Sequence, residues 1–227
     1  SRKIKRKYDN LNVFSGLSVS SPSIINTEKR RIRSSLNGTG SWWNRLDINV
    51  SNLFSFDFSV NTINQNSQNT NLLSTKYHNP YETMARAGGT ALLFSQDRGD
   101  FLTSSFRLSA GRARGWGWLF AESLNSYEIN NRLKMNLNPK YAWSGFGDAA
   151  SLGASLNIVL TPGIVFIPET NIPLKESDQN WTIAIRFIPF KNKHIDIYTT
   201  NSLSFMDIGQ FFKSEDQSLG LSLGGIF

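Results

Sequence analysis

Leu219-Gly220-Leu221-Ser222-Leu223-Gly224-Gly225-Ile226-Phe227 closes the sequence and alternates residue by residue. Leu219, Leu221, Leu223 and Phe227 share one parity; Gly220, Ser222 and Gly224 share the other. Successive side chains of an extended strand point to opposite faces. Through Gly224 this segment therefore sets large apolar groups on one side and only small ones on the other, as a strand between two different solvents does.

The same alternation recurs upstream. Leu46, Ile48, Val50, Phe54, Phe56, Phe58 and Val60 alternate with Asp47, Asn49, Ser51, Ser55, Asp57 and Ser59, and only Asn52 and Leu53 break the pattern. One strand over 46–60 is expected, spanning roughly 50 Å at about 3.3 Å per residue, long for a sandwich. A tilted membrane strand needs only about 9–11 residues, the excess projecting beyond the bilayer. Clear alternations cover 106–110, 133–137, 152–160 and 181–189; weaker ones cover 8–19, 24–36, 84–95, 117–126, 164–172 and 195–202. Together they make about twelve strands, an even number as closure of a bacterial barrel requires.

The terminal strand closed by a carboxy-terminal Phe resembles the last strand of bacterial outer-membrane β-barrel proteins, departing at Gly225, where that family carries an aromatic or aliphatic residue. The resemblance covers most of the chain by pattern, and the Asn- and Ser-rich texture is faintly similar to that of cyanobacterial outer-membrane proteins. It implies an all-β, antiparallel transmembrane barrel of about twelve strands, porin-like, in a bacterial outer membrane. It also implies that Leu219, Leu221, Leu223 and Phe227 form an assembly signal read by the barrel assembly machinery. The implied surroundings are the lipid bilayer and lipopolysaccharide, with a homo-oligomer or an envelope complex as further partners. Phe227 would then lie at the periplasmic end, and alternate links should be short turns there: 189–194, 161–163, 96–100 and 37–40. The links 61–83, 173–180 and 203–217 fall on the opposite side, where 111–115 is short for its place.

Composition agrees with a barrel without requiring one. Mean hydropathy is −0.30 with 39% apolar residues, and no run approaches the length of a membrane helix. Barrel strands average to near neutral because they alternate. There is no cysteine, hence no disulfide framework or thiolate site. A single domain is expected, with the opening Ser1-Arg-Lys-Ile-Lys-Arg-Lys7 suggesting a processed chain or the C-terminal part of a longer one. The net charge of +7 suits anionic lipid, nucleic acid or anionic solutes. Beyond residue 33 the cations are scattered rather than gathered on one element, which argues against nucleic acid.

The six Trp fall mostly near expected strand ends: Trp42, Trp43, Trp116, Trp118, Trp143 and Trp181. In a membrane barrel they would form aromatic girdles at headgroup depth; in a soluble sandwich they would pack a core or bind carbohydrate. The polar parity carries Arg31, Arg33, Arg107, Arg132, Lys134, Lys140 and Arg186 against Asp47, Asp57 and Asp196, the expected pore-lining set. An open lumen so lined favours anions. Alternatively these charges pair across a narrow lumen and plug it. The long loop 61–83 either folds inward or stays in solvent, and Pro80–Arg86 is compatible with one helical turn.

No catalytic constellation emerges, so an enzyme is the least favoured class. His194 and Asp196 share a strand face but sit at a turn; His78 has no partner nearby in sequence. Two distant histidines and no cysteine leave no metal or cofactor site of recognisable spacing. Glu176 and Asp178 read as a solvated acidic loop, and Gly111-x-x-x-Gly115-x-Gly117 lacks the phosphate-loop Lys.

Overall fold

In a computed structural model, which describes residues 16–22, 29–64, 81–113, 115–205 and 207–227, the alternation becomes twelve strands. They are β1 (Arg30–Asn37), β2 (Trp42–Asn49), β3 (Phe54–Asn64), β4 (Tyr81–Phe94), β5 (Thr103–Arg112) and β6 (Gly117–Asn130). Then follow β7 (Leu133–Ser144), β8 (Gly147–Thr161), β9 (Ile164–Lys175), β10 (Asn180–Phe190), β11 (Lys193–Ser202) and β12 (Lys213–Ile226). Each pairs antiparallel with its neighbours in sequence, and β1 closes on β12 from Arg31↔Ile226 to Asn37↔Gly220. The fold is an all-β closed barrel.

Its layering is inverted relative to a soluble protein. The outward parity exposes Phe56, Phe58, Phe106, Leu108, Leu137, Ile183, Ile185, Ile197, Leu221 and Leu223. The inward parity buries charge: Arg107 is 2% and Arg186 0% exposed. A continuous apolar belt around a closed sheet is the surface that hydrocarbon solvates and water does not. The barrel is a transmembrane one.

Four sequence expectations change. The strand expected over 46–60 is two strands: residues 50–53 form a turn in which Val50 and Ser51 donate to the Phe54 carbonyl and Ser51 Oγ accepts from Leu53 and Phe54 N–H. The hairpin pairs Ile48 with Phe56 and Leu46 with Phe58. Partners an even number of residues apart share a parity, so the alternation runs through the turn undisturbed. Asn52 and Leu53, the two exceptions, are the turn itself. Within 8–19 the described residues, 16–19, form no strand and lie inside the barrel. With 46–60 divided in two and no strand among the described residues of 8–19, the total of twelve stands while the phase of 37–40 does not: that turn lies on the rim away from Phe227. Finally, Tyr81–Arg86 opens β4 rather than a helical turn.

The small inward face of β12 now has a cause. Gly220 pairs with Tyr198 and Gly224 with His194, and an added Cβ would lie 2.2 Å from Tyr198 Cζ or 2.3 Å from His194 Cε1. Gly111 serves Trp118 likewise, with 2.0 Å to Cζ2. Large inward rings fit because the neighbouring strand has no side chain there. Gly111→Ala and Gly220→Ala should each lower stability by about 1–3 kcal/mol through overpacking, read as a lower urea midpoint for loss of the fast-migrating, unheated gel band. Gly145→Ala, where an added Cβ meets nothing within 4 Å, should leave the midpoint unchanged.

Candidate functional site

The lumen is built by register. Cross-strand neighbours on one face sit about 4.5–5.5 Å apart, and the pairs Arg31↔Asp47, Arg107↔Glu122, Glu122↔Lys140 and Arg186↔Asp196 place opposite charges side by side. Arg186 grips Asp196 in bidentate fashion, Nε at 2.6 Å and Nη2 at 2.8 Å, while Arg33 Nη2 stands 3.4 Å from the same carboxylate. Arg31 and Arg45 share Asp47 at 2.8 and 2.7 Å. Arg45 and Arg86 flank Asp57, and Arg107 and Lys140 flank Glu122. Each of these four carboxylates thus faces two cations.

Two inserts occupy the space between these walls. The first is a strap, residues 16–22. Glu169 on β9 accepts the backbone N–H of Leu17 (2.6 Å), Ser18 (2.7 Å) and Val19 (3.4 Å), and the Ser18 hydroxyl at 2.8 Å. Arg33, Lys140 and Asn138 donate to the carbonyls of Gly16, Ser18 and Ser20 at 2.6, 3.2 and 2.9 Å. Leu17 packs with Val165, Ile167, Ala184 and Tyr198, an apolar patch on the lumen wall.

The second insert is the link between β11 and β12, entering from the rim away from Phe227. Asp207 accepts from Ser109 Oγ (2.8 Å) and Trp118 Nε1 (3.3 Å), with Arg86 Nε 3.3 Å from its other oxygen. Ile208, Phe211 and Phe212 pack on Met84, Trp116, Trp118 and Phe120. Lys140 Nζ reaches Gln210 Oε1 at 2.5 Å as well as Ser18 O, so one ammonium touches both inserts. A cavity of about 10 Å³ remains under Phe205, room for roughly one water. Among the described residues these two inserts occupy the lumen.

Of the residues expected to line a pore, Arg31, Arg33, Asp47, Asp57, Arg107, Lys134, Lys140, Arg186 and Asp196 point inward. Arg132 does not: it lies exposed in the β6–β7 turn at the Phe227 rim. Trp42, Trp143 and the half-buried Trp181 face outward at the opposite rim. Trp43, Trp116 and Trp118 are buried instead, Trp43 edge-on to Phe205 and the other two under the second insert. Their place at strand ends is the same; parity sends Trp43 and Trp118 inward. Leu219, Leu221, Leu223 and Phe227 face outward. His194 and Asp196 sit inside among Arg33 and Arg186. His78 and most of the loop 61–83 lie outside the described residues. Sequence reasoning missed Arg45, Arg86, Glu122, Glu169 and Asp207. For Arg45 the signal existed, since it continues the parity of Asp47 one step beyond the expected strand start. Glu169 shares the parity of Val165, Ile167 and Asn171. Asp207 in a non-strand link gave none.

No protein-family model and no curated protein sequence matches the chain. Solved structures do match. The KdgM porin, also described in complex with disordered oligogalacturonate, superposes with a TM-score of 0.61 at 10% identity, covering 88% of this chain and 99% of that one. The NanC porin gives 0.56 at 8% identity over 87% and 98% of the two chains, and Omp33 of Acinetobacter baumannii 0.51 at 10% over 88% and 97%. The fold is that of bacterial outer-membrane porin-like barrels.

Deleting one member of a buried ion pair leaves an uncompensated charge. Asp196→Ala should therefore destabilise by about 3–5 kcal/mol, whereas the apolar double replacement Asp196→Leu with Arg186→Met should cost clearly less than Asp196→Ala alone. Urea midpoints of the folded gel band measure both.

Proposed function

We propose that this chain is a porin-like passive channel of a bacterial outer membrane for small hydrophilic, preferentially anionic solutes, without enzymatic activity. The observation that carries it is the surplus of cation contacts in the lumen: Asp47, Asp57, Glu122 and Asp196 each face two cationic side chains. A low-dielectric wall focuses the potential of such groups along the bore. The likeness to porin structures supports a channel, and the oligogalacturonate described with one of them supplies a candidate solute chemistry to try. The lipid bilayer and lipopolysaccharide are its proposed surroundings. The outward Leu219, Leu221 and Leu223 with Phe227 are its proposed contact with the assembly machinery.

A second function has its own support. The two inserts inside the lumen favour a plugged structural or docking barrel, a subunit of a larger envelope assembly or a homo-oligomer.

Planar-bilayer recording in a salt gradient separates the two. A channel of the proposed kind gives a reversal potential on the anion side, moved toward zero by Arg33→Gln and Lys140→Gln. A cation preference indifferent to both substitutions would sink the anionic assignment. Silence at all voltages, with a stoichiometric partner co-purifying, would establish the docking barrel.

A further inference from the structure

We propose that residues 16–21 are a tethered internal ligand of the lumen, latched by the Glu169 carboxylate, and that release of this latch opens the barrel. The proposal rests on the channel function above and names its regulation.

The wall under the strap is organised as a site for a bent length of backbone. One carboxylate collects three successive N–H groups, while Arg33, Lys140 and Asn138 take the alternate carbonyls of Gly16, Ser18 and Ser20. Charge assistance runs through most of these bonds, on the wall's side alone. The fit is sterically tight at one point. A Cβ on Gly16 would lie 2.1 Å from Glu169 Oε1 and 2.2 Å from Val19 O, so only glycine lets the chain close on the carboxylate.

The wall also carries a feature that a water-filled bore does not need. Val165, Ile167 and Ala184 point inward and are at most 1% exposed. Leu17 lies against this patch, and Val19, two residues on in the chain, is 0% exposed. The seat is thus apolar at the Leu17 side chain and polar along the backbone of Gly16 to Ser20.

The described bonds that seat the strap run to side chains of the wall rather than into a strand ladder. Side-chain bonds of this kind exchange readily for water or a competing ligand, whereas removing a ladder strand opens the barrel itself. When the strap leaves, Arg33, Lys140 and Asn138 lose the carbonyls they hold and face the bore. Those donors suit an anionic solute, so strap and solute compete for the same groups.

The absence of cysteine from the sequence permits a direct test on the full chain. Val19→Cys places one thiol on the strap at a fully buried position without replacing a polar side chain. Glu169→Gln then weakens the latch from the wall, and Gly16→Ala from the strap, leaving every wall residue in place. Each should raise modification of the introduced thiol by a water-soluble reagent by about tenfold or more, the loss expected when a charged acceptor is neutralised or displaced. Each should also raise channel conductance, while heat-modifiable migration reports an intact barrel. Should Glu169→Gln fail to assemble, Gly16→Ala carries the test alone.

Unchanged thiol modification in the assembled variants would overturn the latch. Faster modification without added conductance would overturn the gate, leaving the native chain's own conductance to judge the channel. Conductance that rises with no anion preference would support the gate and remove only the anionic assignment.

Discussion

Confined volume is the constraint from which the rest of this structure follows. Twelve strands close a ring whose every second side chain must share one interior, and the ring cannot widen to relieve crowding. A long charged side chain inside it needs both a counter-charge and room. Register supplies the counter-charge, because a residue directly across the ladder is the nearest possible partner, as Arg186 is to Asp196 and Arg107 to Glu122. Glycine supplies the room, as at Gly111 under Trp118 and Gly220 under Tyr198. Ion pairs in such a place are weak sources of stability, since desolvation consumes most of the attraction. They act as an internal key: a slip by one residue would bring buried arginine against the lipid belt and apolar groups into the lumen.

The two-faced alternation was legible in sequence because it records two solvents, and solvent contrast survives without any knowledge of contacts. Parity also placed most inward charges correctly. It failed where two residues an even number apart face each other across a turn, since the hairpin at 50–53 preserves the alternation it interrupts. The Trp residues illustrate a second limit. Proximity to a strand end does not suffice for a girdle, because Trp42 and Trp43 are adjacent and must face opposite ways. Which segments enter the lumen was not legible in those segments themselves. Neither insert is a strand, and an inserted segment declares itself only through the wall it covers. That wall did carry a trace in Val165, Ile167 and Ala184, apolar residues on the polar parity.

The two inserts differ in what holds them, and the difference sorts their roles. The β11–β12 link brings Ile208, Phe211 and Phe212 into a cluster with Trp116, Trp118 and Phe120. Full burial of such side chains contributes roughly 1.5–3 kcal/mol each, so this insert is a part of the barrel's core and moves only at the cost of that core. The strap brings Leu17 and Val19 and otherwise holds by hydrogen bonds, mostly charge-assisted, for which water or another ligand can substitute once it leaves. Lys140, bonded to both Ser18 O and Gln210 Oε1, is where the permanent insert meets the exchangeable one. A lumen that holds, among the described residues, one insert of core and one of ligand needs no rearrangement of strands to change state: departure of the strap alone uncovers Arg33, Lys140 and Asn138, and the link remains in place as a fixed constriction.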